Sequence, residues 1–133
     1  MNSVEIYANG QVVHQDGVAF YRLECGNASK EGFEHLKNVT GVEAQMLAII
    51  CAMECLKMEC DITAYTNLQF LEGSWAKIKE KGFVGQRANQ ALWERLFQNK
   101  WSKRLNIVWD KAKVEYVKDK AVKALNGLLR TAR

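Results

Sequence analysis

The 133-residue chain lacks the long apolar run and the leader pattern that would place it in or across a membrane. Its longest apolar run covers residues 46–53, far short of the roughly 20 residues that span a bilayer, and is typical of a buried helix. The N-terminal MNSVEIYANG has no basic stretch followed by an apolar one, as a signal peptide would. We therefore expect an intracellular, cytoplasmic protein.

Proline is absent altogether, where an average usage of about 5% predicts about seven, and nothing in the sequence accounts for this. Histidine is scarce, with only His14 and His35. No CxxC pair occurs among the four cysteines, which are Cys25, Cys51, Cys55 and Cys60. A zinc site is therefore not favoured, and we expect buried free thiols in a reducing compartment.

The composition is that of a globular protein, with 48% hydrophobic and 26% charged residues. A chain of this length fits one domain with a core of its own, so we expect a single domain over residues 1–133. The net charge of +4 permits binding to a polyanion without requiring it.

The first forty residues predict an antiparallel meander of three strands. Residues 4–7 alternate apolar and polar side chains, and the Asn9–Gly10 dipeptide after them is typical of a tight turn. Residues 17–25 have a strand composition, residues 26–27 predict the next turn, and residues 31–39 supply the third strand.

The apolar spacing then changes to the period of a helix. Residues 41–58 are apolar nearly all round, as in a helix packed inside a domain. The rest of the chain predicts a strand at 61–65, helices at 68–81 and 89–100, a fifth strand at 105–109 and a closing helix at 115–129. This order predicts an α/β fold, in which a β-meander and βαβ units form a five-stranded mixed sheet with helices on both faces.

Five motifs in this order resemble the type 1 ribonucleases H. VEIYANG resembles the family's first strand, where a catalytic aspartate precedes the glycine, and TGVEAQMLAIICAMECLK resembles its first helix, which carries a catalytic glutamate. YTNLQFL is similar to the end of the fourth strand, where the family has Thr-Asp-Ser-Gln. NQALWERL resembles a later helix, and VKDKAVKAL resembles the closing helix with the fourth acid. The resemblance implies a ribonuclease H-like fold and, in the family, hydrolysis of RNA in RNA–DNA hybrids.

The family's four catalytic acids fall on Asn9, Gln45, Asn67 and Asp119 when they are carried over to this chain. Three of these are the amide counterparts of the expected acids. The family's histidine-containing loop before the last helix is also missing, since only residues 110–114 separate the fifth strand from that helix. The resemblance therefore implies a degenerate site with no intact catalytic residue, although each amide taken singly has an ordinary structural explanation.

This change bears on the metal ions that the resemblance implies. Two divalent cations activate water and stabilise the leaving oxygen in such a site, and magnesium prefers anionic oxygen ligands. An amide is neutral, and its NH2 group is a donor. At an effective dielectric constant of about 20, each lost charge removes several kcal/mol of attraction. We therefore expect no metal cofactor, and Mg²⁺ or Mn²⁺ only if the acids were restored.

Three amides in place of three acids keep the shape of the site while removing the repulsion between clustered carboxylates. Two origins fit this pattern. One is a natural pseudoenzyme, and the other is an active, metal-dependent ribonuclease H that was inactivated on purpose by isosteric substitution. The sequence alone leaves both open.

The first functional hypothesis is a catalytically inactive protein that binds an RNA–DNA hybrid or double-stranded RNA, because shape, 2′-hydroxyl and phosphate contacts need no metal. The charge run at residues 77–81 is equally well explained as a solvated helix face, so we expect weak, salt-sensitive binding. The candidate nucleic-acid-binding residues are Gly10, Gln69, Lys77, Lys79 and Lys81, with Arg87 as a further cation.

The second hypothesis is a protein-interaction scaffold with no nucleic-acid role, its fold kept because a protein partner recognises it. Tryptophan is a common anchor in interfaces. Trp101 has polar neighbours in NKWSKR, and it is either such an anchor or a cap on the core at a helix end. Trp93 and Trp109 are expected in the core.

Overall fold

The computed structural model describes residues 2–83 and 88–131. Within them, five strands form a mixed sheet in the order β3-β2-β1-β4-β5. β1, β2 and β3 are antiparallel to one another, whereas β4 runs parallel to both β1 and β5. The strands are β1 Asn2–Val13, β2 Asp16–Cys25, β3 Ala28–Lys37, β4 Cys60–Thr66 and β5 Leu105–Trp109. The predicted meander followed by parallel strands is confirmed.

Helices cover both faces of this sheet, as predicted. One face carries α1, α2 and α3, and these pack on the larger hydrophobic core together with β1, β4 and β5. The other face carries α4, which packs on a smaller core against Val18 and Phe20 of β2. The helices are α1 Gly41–Glu54, α2 Gln69–Lys81, α3 Gln90–Phe97 and α4 Glu115–Thr131. Because helices cover both faces, the central strands are buried on both sides.

Helix α1 begins at a capping box. The Thr40 hydroxyl accepts the backbone N–H of Glu43, and the Glu43 carboxylate accepts the backbone N–H of Thr40, which satisfies two backbone donors that a helix start leaves unpaired. The helix ends at Glu54, four residues before the predicted end. The chain must turn back into β4 at Cys60, and residues 57–59 are exposed in that connection.

The prediction of a turn at Asn9–Gly10 is wrong. Both residues lie inside β1, where Asn9 pairs with Phe20 and Gly10 with Ala19 of β2. The chain turns only after Val13, where His14 has a φ of 55°. The glycine therefore has another role, which concerns the packing of α1.

The predicted core position of Trp109 is also wrong, since 45% of its surface is exposed. It is the last residue of an edge strand, where the sheet and α2 no longer cover it. Trp93 is buried as predicted, and Trp101 is half-buried against the core. All four cysteines are free, and Cys60 is fully buried. No helix in the described ranges is long and apolar enough to cross a bilayer.

Candidate functional site

Asn9 lies at the centre of the sheet and is completely buried. β1 is flanked by β2 and β4. Ile6 and Ala8 of β1 belong to the larger core, and the side chain of Asn9 leaves the opposite face of the strand. Its side-chain carbonyl accepts a hydrogen bond from Nε2 of Gln11 at 2.7 Å. The two side chains meet because residues i and i+2 of a strand point to the same face.

Gly10 allows α1 to approach β1 more closely than any other residue would. A Cβ atom on Gly10 would lie 2.2 Å from the carbonyl carbon of Ala44 and 2.4 Å from the backbone nitrogen of Gln45. The absence of a side chain at this position therefore sets the contact between the two backbones. This contact brings the start of α1, and with it Gln45, next to Asn9.

Gln45 and Asn67 are joined by a direct side-chain hydrogen bond. Gln45 is buried on α1, and Asn67 follows the last residue of β4. Nε2 of Gln45 donates to Oδ1 of Asn67 at 2.5 Å. The structure thus brings three predicted positions from separate elements, Asn9, Gln45 and Asn67, to the same edge of the central strands. We call these three residues the amide site.

The hydrogen bonds of the amide site leave two buried polar atoms without a partner in the described residues, Nδ2 of Asn9 and Oε1 of Gln45. An unsatisfied buried group of this kind costs about 1–3 kcal/mol. The arrangement presents one N–H donor and one neutral acceptor. Both atoms are buried, and the site offers no negative charge.

A divalent cation does not fit this donor set. The carbonyl oxygens of Asn9 and Asn67 already accept hydrogen bonds from Gln11 and Gln45, and the amide NH2 groups have no acceptor capacity. Within residues 2–83 and 88–131, no three His, Cys, Asp or Glu side chains come together in a group that could hold a metal. The amide site therefore offers a divalent cation only neutral oxygens and no carboxylate.

Asp119, the fourth predicted position, does not join the amide site. Val117, Ala121 and Leu125 form the buried stripe of α4, and Asp119 is exposed. At 100° per residue, Asp119 lies about 160° from both Val117 and Ala121 around the helix axis. Its carboxylate therefore projects from the outer face of α4.

The predicted nucleic-acid-binding residues on α2 are exposed. Gln69 begins α2 directly after the amide site, while Lys77 and Lys81 lie further along the same helix. Lys79 is tied to β5, because its Nζ donates to the carbonyl of Leu105 at 2.8 Å and to Oδ1 of Asn106 at 3.1 Å. Arg87 lies outside the described residues.

Sequence reasoning missed Gln11, which holds the side chain of Asn9. The prediction ends the first strand at residue 7 and places a turn at Asn9–Gly10, which interrupts the alternation through residues 7, 9 and 11. Extending the period of two past Gly10 is the signal that would place Gln11 on the same face as Asn9.

The fold is shared with solved ribonucleases H. The N-terminal RNase H domain of a Mycobacterium tuberculosis protein superposes with a TM-score of 0.77 at 13% identity, covering 100% of both chains. LC11-RNase H1, solved in complex with an RNA/DNA hybrid, superposes with a TM-score of 0.74 at 14% identity, covering 95% of this chain and 99% of its own. These likenesses define the architecture as the ribonuclease H fold.

Sequence similarity assigns the chain to a family. Ribonuclease HI of Campylobacter jejuni is 32% identical over 122 residues, which cover 84% of this chain and 80% of that protein. No protein-family model matches the chain. The chain belongs to the ribonuclease H family, and its structural neighbours include type 1 enzymes such as RNase H1 of Halobacterium salinarum.

Proposed function

We propose that this ribonuclease H-like protein is a pseudoenzyme that binds an RNA–DNA hybrid without cleaving it. The observation that carries the proposal is the hydrogen-bonded amide site. Gln11 donates to Asn9 and Gln45 donates to Asn67, so the hydrogen bonds of the site form two pairs of neutral amides without a carboxylate. A relative of the same fold has been solved with an RNA/DNA hybrid, which supports the choice of ligand.

The same network favours binding over simple loss of the site. Asn9 is completely buried, whereas Asn67 is partly exposed, so Asn67 is the residue of the amide site that a phosphate or ribose group can contact. Three neutral side chains also repel a phosphate far less than three carboxylates would. We expect Gln69 and the exposed lysines Lys77 and Lys81 to contact the backbone of the duplex. Such contacts make binding weak and dependent on salt.

The first test measures binding and cleavage on the same hybrid. We expect fluorescence anisotropy of a labelled RNA–DNA hybrid to show saturable binding at about 50 mM salt and an affinity that falls by tenfold or more at about 200 mM. The hybrid should stay intact in millimolar Mg²⁺ or Mn²⁺. Preferential binding of double-stranded RNA would change the assigned ligand, whereas cleavage by the unmodified chain would refute the proposal.

A second test restores the acids with N9D, Q45E and N67D together. We expect this variant to gain a Mg²⁺- or Mn²⁺-dependent rise in Tm, because three carboxylates supply the charge that the amides lack. The matched control adds the same charge at exposed amides elsewhere, with N27D, Q98E and N126D, and should show no such rise. A metal-dependent rise of equal size in the unmodified chain would contradict the proposed chemistry of the amide site.

A further inference from the structure

A cavity opens on the α4 side of the sheet. It has a volume of about 220 Å³ and lies between the start of α4 and strands β1 and β2. Its lining residues are Tyr7, Arg22, Glu24, Lys113, Tyr116 and Val117. None of them belongs to the amide site or to the predicted nucleic-acid-binding set.

Two aromatic rings border this cavity and are held in place by polar contacts. The ring of Tyr7 stacks on Tyr65 with a centroid distance of 5.3 Å. Tyr116 donates its hydroxyl hydrogen to Glu31 at 2.7 Å, yet 49% of its surface is exposed. The hydrogen bond therefore orients the ring of Tyr116, and a base that stacks on this half-exposed residue would lie beside Arg22 and Lys120, which are 5.7 Å and 5.5 Å from the ring centroid.

The charges around the cavity are matched. The Arg22 guanidinium donates to Glu24 and Glu31, both at 2.8 Å. The Glu5 carboxylate accepts the hydroxyl hydrogens of Tyr7 at 3.1 Å and Tyr65 at 3.0 Å. A lining with paired charges and a half-exposed tyrosine favours a neutral, planar ligand with hydrogen-bonding edges over a free ion. A nucleobase has these properties.

Cations lie along the outer rim of the same cavity. Lys113 and Lys120 flank Tyr116 and place their ammonium groups 4.5 Å from the ring centroid of Tyr65 and 5.5 Å from that of Tyr116. Lys123 is exposed one helical turn further along the same side of α4. A ring platform bordered by lysines suits a nucleotide, because the base can stack while the phosphate stays at the charged rim.

The cavity is also close to the amide site. Tyr7 and Asn9 are residues i and i+2 of β1, so their side chains leave the same face of the strand about 7 Å apart. A nucleic-acid strand bound beside the amide site could therefore continue into the cavity within one nucleotide.

From this combination we infer that the cavity of Tyr7, Arg22 and Tyr116 is a subsite for one unpaired nucleotide, whose base stacks on Tyr116. We call it the overhang subsite. It deepens the proposed function, since the choice of a nucleic-acid ligand rests on that proposal. It uses a different surface, however, and can be tested separately.

The experiment compares a blunt RNA–DNA hybrid with the same hybrid carrying a single-stranded extension of a few nucleotides. Anisotropy titrations use the unmodified chain, Y116A and Y116F. Both variants lose the hydrogen bond to Glu31, and only Y116A loses the ring. We expect the extension to raise affinity about tenfold in the unmodified chain and in Y116F, the scale of one base stacked on an aromatic ring, and to have no effect in Y116A.

Each other outcome is decisive. An extension that adds no affinity to the unmodified chain overturns the subsite while leaving hybrid binding intact. A gain that persists in Y116A, or is lost equally in Y116F, excludes stacking on this ring. If the blunt hybrid does not bind but a single-stranded oligonucleotide does so in a Tyr116-dependent way, the subsite stands and the proposed function fails. Melting curves of Y116A serve as the control for folding. A variant that melts like the unmodified chain has lost affinity without losing its structure.

Discussion

At the scale of single residues, the amide site differs in chemistry from a site built of acids of nearly the same shape. Asn and Gln have almost the same size and shape as Asp and Glu. What differs is that an amide supplies both a donor and an acceptor. Gln45 can therefore bond Asn67 directly, where two ionised carboxylates would repel each other.

Gly10 is expected to be intolerant of any side chain. Its missing Cβ would lie within 2.5 Å of three backbone atoms of α1, and backbone cannot rotate away. We expect G10A to lower the free energy of unfolding by about 3 kcal/mol or more, measured by urea denaturation. It should also weaken hybrid binding, since α1 carries Gln45.

Gly73 provides the matched control for Gly10. It lies inside α2, and a Cβ there would meet nothing within 4 Å. Alanine is a better helix former than glycine by about 1 kcal/mol, so G73A should stabilise the protein. Equal stability of G10A and the unmodified chain would contradict the close packing of the α1 backbone against Gly10.

The titration of Tyr7 is expected to lower the free energy of unfolding in alkaline solution. Burial, the hydrogen bond to Glu5 and the charge of Glu5 raise the pKa of Tyr7 to about 12, whereas an unfolded tyrosine has a pKa of about 10. The folded state keeps a proton that the unfolded state has lost. The resulting stabilisation is complete below about pH 10 and disappears as the pH rises to about 12.

The measurement compares Tm between about pH 9 and pH 11.5 for the unmodified chain and Y7F. The variant lacks the titrating hydroxyl, so its Tm should fall less steeply over this range. Tyr21, whose pKa is also raised by burial, contributes to both proteins and cancels in the comparison. Parallel curves would exclude Tyr7 as a source of the alkaline loss.

At the scale of elements, the two faces of the sheet differ in how firmly they hold their helices. Helix α1 packs into the larger core, which contains 22 buried residues from both β-meander and βαβ segments. Helix α4 packs on a core of only six buried residues, four of them its own or from the turn before it. Because apolar burial contributes about 25 cal/mol per Å², packing stabilises α1 on the sheet much more than it stabilises α4.

We expect α4 to open before the rest of the protein. In native-state hydrogen exchange, the amides of α4 should exchange through a sub-global opening with a lower free energy than those of α1 and β1. V117A should increase the difference in opening free energy between α4 and α1, because it removes buried contacts of α4 alone. Equal protection of α4 and α1 would indicate a single cooperative unit.

Most element boundaries were predictable, because they follow local patterns. The span of β5 matches its prediction, and β4 and α4 differ from theirs by one or two residues at an end. One error falls where a distant contact overrides a local preference. Asn9–Gly10 is a good turn dipeptide, but it lies in β1 because α1 packs on Gly10.

At the scale of the whole molecule, the parallel strands β1 and β4 bring together residues that are far apart in the chain. Asn9 lies in β1 two residues beyond its last pair with β4, and Asn67 lies two residues beyond the same pair on β4. Helix α1 packs on β1 and carries Gln45 to Asn67. The carboxyl ends of adjacent parallel strands are a common place for functional sites. Here the fold retains that arrangement, and the overhang subsite lies beside it on the opposite face from α1.

The sequence by itself determined the order and type of the elements and the presence of amides at three of the four family positions, because periodicity and residue identity are local properties. Only the tertiary structure decided that Gln45 bonds Asn67, that Gln11 holds Asn9, and that Asp119 projects from the outer face of α4. These features depend on how distant segments pack and on the rotation of a helix about its axis. Neither is encoded in any short stretch of the chain.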